Sequence, residues 1–463
     1  MYERRIRVSK SKNIDLTEGS IAKQMIAFAI PLFLGNLFQQ MYNMADSLIV
    51  GNSLGSEALA AVASTGALTF LLVGFFSGTA MGAGVVISKF FGARDYDNLR
   101  LAIHTDVAFG IVAGLILTVL GVAFTPQILL WMGTPADVFP NAVLYLRVYF
   151  LGSLAVLLYN ICMGILQAVG DSKHPLYYLI LSSIVNIVLD LIFCGVFKLG
   201  VEYAALATII SQFLSVVLCM SRLMRVQDVY QVRLREVKLH PDMLKQILAM
   251  GLPTGLQNSV ISLANVVVQS NINAFGKMAM AGCGAYSKVE GFAFLPVTCF
   301  TMALTTFVGQ NMGAQKYDRV KKGVVFGIVC TIILSELTGF VINGFAPQLI
   351  ALFDSEPQVV AFGVQQAGIA TWFFFLMAFS HASAAVMRGA GKPVVPMVVI
   401  LTAWCVIRII YITIATSFIH DIRVVFWAYP ITWSISSTIF LIYLLRGNWL
   451  PKKKAEKGFS SCN

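Results

Sequence analysis

Apolar runs of the ~20 residues needed to cross a hydrocarbon layer recur along the whole of this 463-residue chain. That recurrence narrows the fold more than any motif does. Of the residues, 58% are hydrophobic and 12% charged, against about 25% charged in an ordinary soluble domain. Twelve candidate spans fall near 24–50, 58–87, 101–125, 142–169, 175–196, 201–221, 247–272, 280–309, 322–346, 359–388, 394–418 and 423–445. The expected class is an all-α integral membrane protein with twelve transmembrane helices.

The net charge of +11 would suit a nucleic-acid binder, but its placement does not. With twelve spans, 27 of the 33 lysines and arginines fall on one side of the membrane, and four on the other: Arg147, Lys198, Lys277 and Arg423. Lys288 and Arg408 lie inside spans. Such a bias marks the cytoplasmic side, so both termini are expected in the cytoplasm, with membrane lipid rather than nucleic acid as the surrounding partner. No cysteine pair has CxxC spacing, so neither a metal site nor a disulfide frame is indicated. The first apolar run is too long for a signal peptide and lacks a small-residue cleavage site; it reads as an uncleaved first helix.

The chain repeats itself. IPLFLGNLFQQMYN (30–43) pairs with LPTGLQNSVISLAN (252–265), FFGARDYDN (90–98) with NMGAQKYDR (311–319), and LQAVGDSKHP (166–175) with VMRGAGKPVVP (386–396), at an offset of 221 to 222 throughout. Each copy holds six spans, so both enter the membrane in the same orientation, as in transporters built from two parallel halves. The expected organisation is a cytoplasmic tail 1–20, an N-lobe 21–221, a polar basic linker 222–246, a C-lobe 247–446 and a tail 447–463.

Ionisable groups deep in spans are costly, at about 2.5–3.5 kcal/mol on the mildest scale, and by default functional. Asp46 in span 1 shares a helical face with Gln39, Tyr42 and Asn43; the competing reading puts it at a wetted helix end. Asn186 and Asp190, four apart in span 5, project together, and span 6 offers Thr208 and Gln212 at the same spacing. Such oxygens suit a proton or a hard monovalent cation rather than a transition metal. Like charges resist joint ionisation, so two close carboxyls would share a proton. At the repeat offset the C-lobe shows Val268 for Asp46, and Ile407 and Tyr411 for Asn186 and Asp190, so an acidic ion site belongs to the N-lobe alone. Glu290 and Lys288 in span 8 are too close in sequence to face one another. With Arg408 they are candidates for substrate contact or C-lobe coupling. Glu336 and His381 read as packing residues. Pro296 and Pro430 are expected to kink or unwind their helices.

The chain has no GxxxxGK[ST], HExxH or GxSxG motif. A transporter without a nucleotide site must run on an ion gradient, and no cofactor is expected beyond the coupling ion.

Twelve spans in two lobes, YNMADSLIVG in span 1, FFGARDYDN with its echo NMGAQKYDR, and GDSKHP after span 4 resemble the multidrug and toxic compound extrusion (MATE) family over roughly 20–446. The likeness is to bacterial members with an N-lobe cation site. It implies that Asp46, Asn186, Asp190, the Thr208 hydroxyl and the Ala204 carbonyl hold H+ or Na+, with Gln39, Tyr42, Asn43 and Gln212 as the supporting polar network. In another branch the acids lie in the second lobe; Val268 and Tyr411 do not fit that pattern, while Glu290 is compatible with it. The resemblance implies an antiporter of the cytoplasmic membrane, a monomer, not an enzyme, exporting amphipathic organic cations by alternating access. A rival is a flippase for a lipid-linked precursor, which would favour a cationic cavity. A membrane enzyme or receptor would need a reactive cluster or a sizeable exposed domain, and the sequence shows neither.

Overall fold

The computed structural model describes residues 14–54, 56–134, 136, 138–447 and 449–451; side chains at 47, 48, 51, 52, 54 and 56–73 lie outside that description. The described residues form helices joined by short turns. The N-lobe holds α1 (Ile21–Leu54), α2 (Ser56–Ala93), α3 (Tyr96–Trp131), α4 (Phe139–Leu151), α5 (Ser153–Ala168), α6 (Lys173–Asp190) with a π-helical turn Leu191–Val196, and α7 (Glu202–Arg225). The C-lobe holds α8 (Pro241–Asn273), α9 (Lys277–Gly313), α10 (Tyr317–Ala351), α11 (Pro357–Ala370), α12 (Phe374–Gly389), α13 (Val394–Ile400), a π-helical turn Leu401–Ile407, α14 (Arg408–Phe418) and α15 (Ile422–Leu445). Among the described residues, eleven helical segments are long and apolar enough to span, and counting the pair α4 and α5, bent by 46° at Gly152, as one span makes up to a twelfth. The first three helices of each lobe run 33 to 38 residues, well over the ~20 a bilayer needs.

The repeat is visible in the backbone. Arg94 and Gln315 both have φ of 57°, and Gly170 and Gly391 have φ of 85° and 82°. These matched left-handed residues stop α2, α9, α5 and α12, where a further helical turn is impossible without a new nucleus. After Arg94, Asp95 starts α3 by accepting from the Asn98 N–H at 3.2 Å, and Asp171 of the GDSKHP run does the same for α6 through the His174 N–H at 3.2 Å. Pro296 and Pro430 sit inside helices that do not unwind at them; irregular backbone occurs in the two π-turns of span 5 and its repeat and at Phe345 of α10, where φ is −115° and ψ is 16°.

The lobes meet through glycines. Gly78 faces Gly255 and Gly82 faces Gly251 across α2 and α8, while Gly92 and Gly313 abut the carbonyls of Gln310 and Lys89 across α2 and α9. A Cβ at any of these would strike backbone, so only glycine lets the helices come so close. This seam runs to the end of the molecule that carries the termini. There residues 14–20 of the expected tail pack onto both lobes. Arg319 donates to the carbonyls of Leu16 (3.1 Å), Glu18 (2.8 Å) and Gly19 (2.6 Å), and Gln310 links the Leu16 N–H of this strap to the Ala168 carbonyl of the N-lobe. The linker is likewise packed down: Tyr230 and Val232 are buried in the N-lobe core, and Glu236 pairs with Arg100.

Candidate functional site

α6 lies between α1 and α7, and this places the polar residues of three helices together. Asp190 and Asn186, one turn apart on α6, are 0% and 1% exposed, whereas Asp46 on α1 is partly exposed and lines a cavity. Asp46 lies eight residues before the last residue of α1, Leu54, and its carboxyl comes within hydrogen-bonding reach of that of Asp190. Two carboxyls in contact form a hydrogen bond only when one carries a proton, and repel when neither does. Among the described residues no N–H or O–H donor reaches Asp46 Oδ1 or either Asp190 oxygen, and both polar atoms of Asn186 and Oε1 of Gln212 are also unpartnered. Buried polar atoms are nearly always satisfied, so this concentration of bare oxygens fits a proton or a small hard cation.

The neighbouring groups orient the acids. Tyr42 is hydrogen-bonded to Gln39 and Gln212, which ties α1 to α7 beside Asp46. Asn43, exposed on the same face, lines the cavity. The Thr208 hydroxyl donates to the Ala204 carbonyl at 3.2 Å. Val50, Cys194, Val201 and Ala205 form a small apolar cluster one turn beyond the acids, which leaves the face of Asp46 as the wet approach.

The cavity has a volume of about 540 Å³. N-lobe helices supply most of its wall, including Tyr42, Tyr145, Tyr149, Tyr159 and Asn160; α9 adds Met302, Thr305 and Thr306. Sequence reasoning named Tyr42 but passed over Tyr145, Tyr149 and Tyr159. The signal was present, since Tyr145 and Tyr149 are one helical turn apart and stack at 6.4 Å. It also passed over Asp106 of α3, 1% exposed with both oxygens unpartnered, although the residue falls within the expected third span.

In the C-lobe, Arg408 is 2% exposed. Its Nε and Nη2 donate to Thr432 Oγ1 at 3.4 and 3.0 Å, and its Cζ lies 4.5 Å from the Tyr429 ring centre and 5.7 Å from that of Trp404. A desolvated contact of this kind contributes up to about 2 kcal/mol. Glu290 accepts from Tyr286 Oη at 3.3 Å and interacts electrostatically with Arg408. Lys288 does not join them: it is exposed and lies 5.4 Å from the Phe353 ring. Glu336 Oε1 accepts the Phe375 N–H at 2.7 Å, capping the start of α12, and His381 stacks edge-on against Trp404 at 5.2 Å.

The structure corrects one alignment. Asn186 and Asp190 are both buried on α6, and the buried pair on α14 is Arg408 and Ile412, not Ile407 and Tyr411. A π-turn accommodates one extra residue, so the turn Leu401–Ile407 moves the offset from 221 at Pro175 and Pro396 to 222 beyond it. Val268, 2% exposed, keeps its place opposite Asp46 at offset 222.

Known proteins bear on this arrangement. A family model described as MatE matches residues 31–192 and again 253–414, which is the repeat at offset 222. The chain is 30% identical to the probable multidrug resistance protein YoeA of Bacillus subtilis (strain 168) over 92% of its own length and 93% of that protein. It is 26% identical to the probable multidrug resistance protein NorM of Thermotoga maritima, over 93% of each. A solved structure of a multidrug resistance MATE family transporter of the MOP superfamily, in an outward-facing conformation, superposes with a TM-score of 0.89 at 24% identity, covering 96% of this chain and 99% of that one.

Proposed function

The chain belongs to the MatE family, and from that premise we propose that it is a multidrug efflux antiporter that exports amphipathic organic cations in exchange for H+ or Na+. The observation that carries this reading is the Asp46 carboxyl on the wall of an aromatic cavity, within reach of the buried Asp190 carboxyl behind it. A proton or sodium ion relieves the repulsion between the two acids, and so does a cationic substrate beside Asp46. Filling by one weakens the claim of the other, which is the requirement for exchange. For coupling, the ion must bind the two access states with different affinity.

Substrate class follows from the wall. Tyrosine faces and methionine sulfurs favour flat, polarizable cations, and no Lys or Arg lines the cavity among the described residues. A flippase for a polyanionic lipid-linked precursor would need the opposite charge. The glycine seam shuts the end that bears the termini, so in this state the cavity serves the other side. With the basic residues facing the cytoplasm, that is outward access from a cytoplasmic membrane.

The test is ethidium transport into inverted vesicles under an imposed proton or sodium gradient, with wild type, Asp46→Asn and Asp190→Asn. Loss of gradient-driven transport in both variants supports the reading, and the effective gradient names the ion. Transport like wild type in both would place coupling elsewhere.

A further inference from the structure

The linker between the lobes is fixed to α3 by a buried histidine. His104 is 2% exposed. Its Nδ1 donates to the Arg100 carbonyl at 2.7 Å, and its Nε2 accepts the Arg233 N–H at 2.9 Å. Glu236 is taken up by Arg100 and, at 3.5 Å, by Arg233. Beside them lies a cavity of about 410 Å³, walled by Arg100 and Leu101 of α3 and by Arg235, Lys238 and His240 of the linker. Where His240 gives way to Pro241, the first residue of α8, an apolar groove begins. It runs along Leu244, Leu248 and Leu252, with Lys245 beside its start.

We propose that the cavity and the groove together seat one anionic phospholipid of the cytoplasmic leaflet, with its phosphodiester at Arg235 and Lys238 and an acyl chain along α8. The charge fits. Among the described residues Arg235, Lys238 and Lys245 form no ion pair. The acids left unpaired here are Asp97 on the cavity wall and Asp242 in the first turn of α8, so the mouth keeps a net positive charge. The cytoplasmic leaflet is the anionic one, and each Lys or Arg near it strengthens binding about fivefold. The N-terminus of α8 lies at the same place without a side-chain cap, and N–H groups so exposed favour a phosphate.

The length fits as well. From Pro241 to Pro253 the helix rises about 18 Å, close to the about 15 Å of hydrocarbon in one leaflet. Leu234 and Leu239 of the linker, 59% and 42% exposed, present apolar surface to the leaflet on either side of the basic residues. The site spans the covalent joint between the lobes. A lipid there ties the linker, which is docked on the N-lobe, to the first turns of α8. It is separate from the Asp46 and Asp190 pair and does not depend on which ion that pair exchanges.

The experiment measures lipid retained by the purified full chain in native mass spectrometry, with phosphatidylglycerol or phosphatidylcholine added to the detergent. Wild type is expected to hold one phosphatidylglycerol at least about tenfold more tightly than phosphatidylcholine. The double variant Arg235→Gln with Lys238→Gln should bring the two lipids to within about twofold, since two basic residues account for about 25-fold. Lys23→Gln removes an equal charge at the matching place on α1, at offset 222 and outside the cavity and groove, and should keep the preference. Dihexanoyl phosphatidylglycerol has the same headgroup and chains too short to follow the groove, and should bind at least about tenfold more weakly. Equal affinity of wild type for the two lipids overturns the proposal, and so does a double variant that keeps the preference. An equal loss in Lys23→Gln also overturns it, since the preference would then belong to the whole basic face. Dihexanoyl lipid held as tightly as the long-chain form removes the acyl seat and overturns it too. Should the double variant fail to fold, Lys238→Gln alone decides, with about a fivefold fall expected and no change overturning the proposal.

Discussion

Where α6 of the N-lobe presents Asn186 and Asp190 to Asp46 of α1, α14 of the C-lobe presents Arg408 and Ile412 to Val268 of α8. The long helices and their left-handed stops agree between lobes, and the buried polar atoms do not. The N-lobe acids are left with bare oxygens, whereas Glu290 accepts from Tyr286 Oη. Packing demands the same shapes in both lobes, because each must bury the same helix faces. It places no such demand on charge, so one lobe can hold paired acids where the other holds apolar side chains and an arginine.

The sharpest way to break this comparison is to remove one acid at a time. Asp46→Asn or Asp190→Asn should reduce gradient-driven ethidium transport by on the order of 100-fold, the upper range of ordinary coupling free energies. The matched changes Val268→Ala and Ile412→Val should leave it within about twofold. Equal losses from both sets would mean that both lobes exchange ions.

The seam that both lobes share should respond to volume rather than charge. Gly82→Leu and Gly313→Leu drive a side chain into the backbone of Gly251 and Lys89, at a cost of at least about 1–3 kcal/mol. Thermal unfolding in detergent should show both variants clearly less stable. A Gly313→Leu protein as stable as wild type would show that the lobes need not meet there.

A smaller effect is expected at the strap. Arg319→Gln removes charged donors from the carbonyls of Leu16, Glu18 and Gly19, each worth about 1.5–3 kcal/mol when shielded and less when exposed. Hydrogen exchange at residues 16–19 should rise at least about tenfold, with the amides of α6 unchanged. Unaltered exchange at the strap would mean that Met25 and Phe28, buried with C-lobe residues, hold it without Arg319.

The smallest effect concerns Glu236 in the linker. The Arg100 guanidinium beside it, followed by His104 and Arg233, holds its carboxyl below the usual glutamate range. A depressed carboxylate adds stability above its unfolded value, about 4.3, and that stability is lost as pH falls through its folded value. Its side chain is 34% exposed, so solvent screening limits the effect to at most about 1 kcal/mol. Glu236→Gln should therefore lower the unfolding temperature slightly at pH 7, and the gap to wild type should close below about pH 4. A gap that persists at low pH would show that the linker is held by packing of Tyr230 and Val232 alone.

Most of the architecture was legible from the chain. Apolar length determined the spans, since a helix must outlast the hydrocarbon layer. The echoes at Gly92 and Gly313, and at Gly170 and Gly391, determined the two lobes, because left-handed stops and close contacts admit few residues. The polar faces of spans 1, 5 and 6 were also readable, since periodicity places Gln39, Asn43 and Asp46 on one side of a helix. Tertiary structure alone decided three things. It brought the Asp46 and Asp190 carboxyls into contact, which depends on how α6 seats between its neighbours. It separated Lys288 from Glu290 and Arg408, because a long cationic side chain turns outward to the nearest ring. It also moved the C-lobe register by one residue at the π-turn, putting Arg408 rather than Ile407 at the place of Asn186. A sequence offset counts residues, and only the backbone shows where one of them is absorbed.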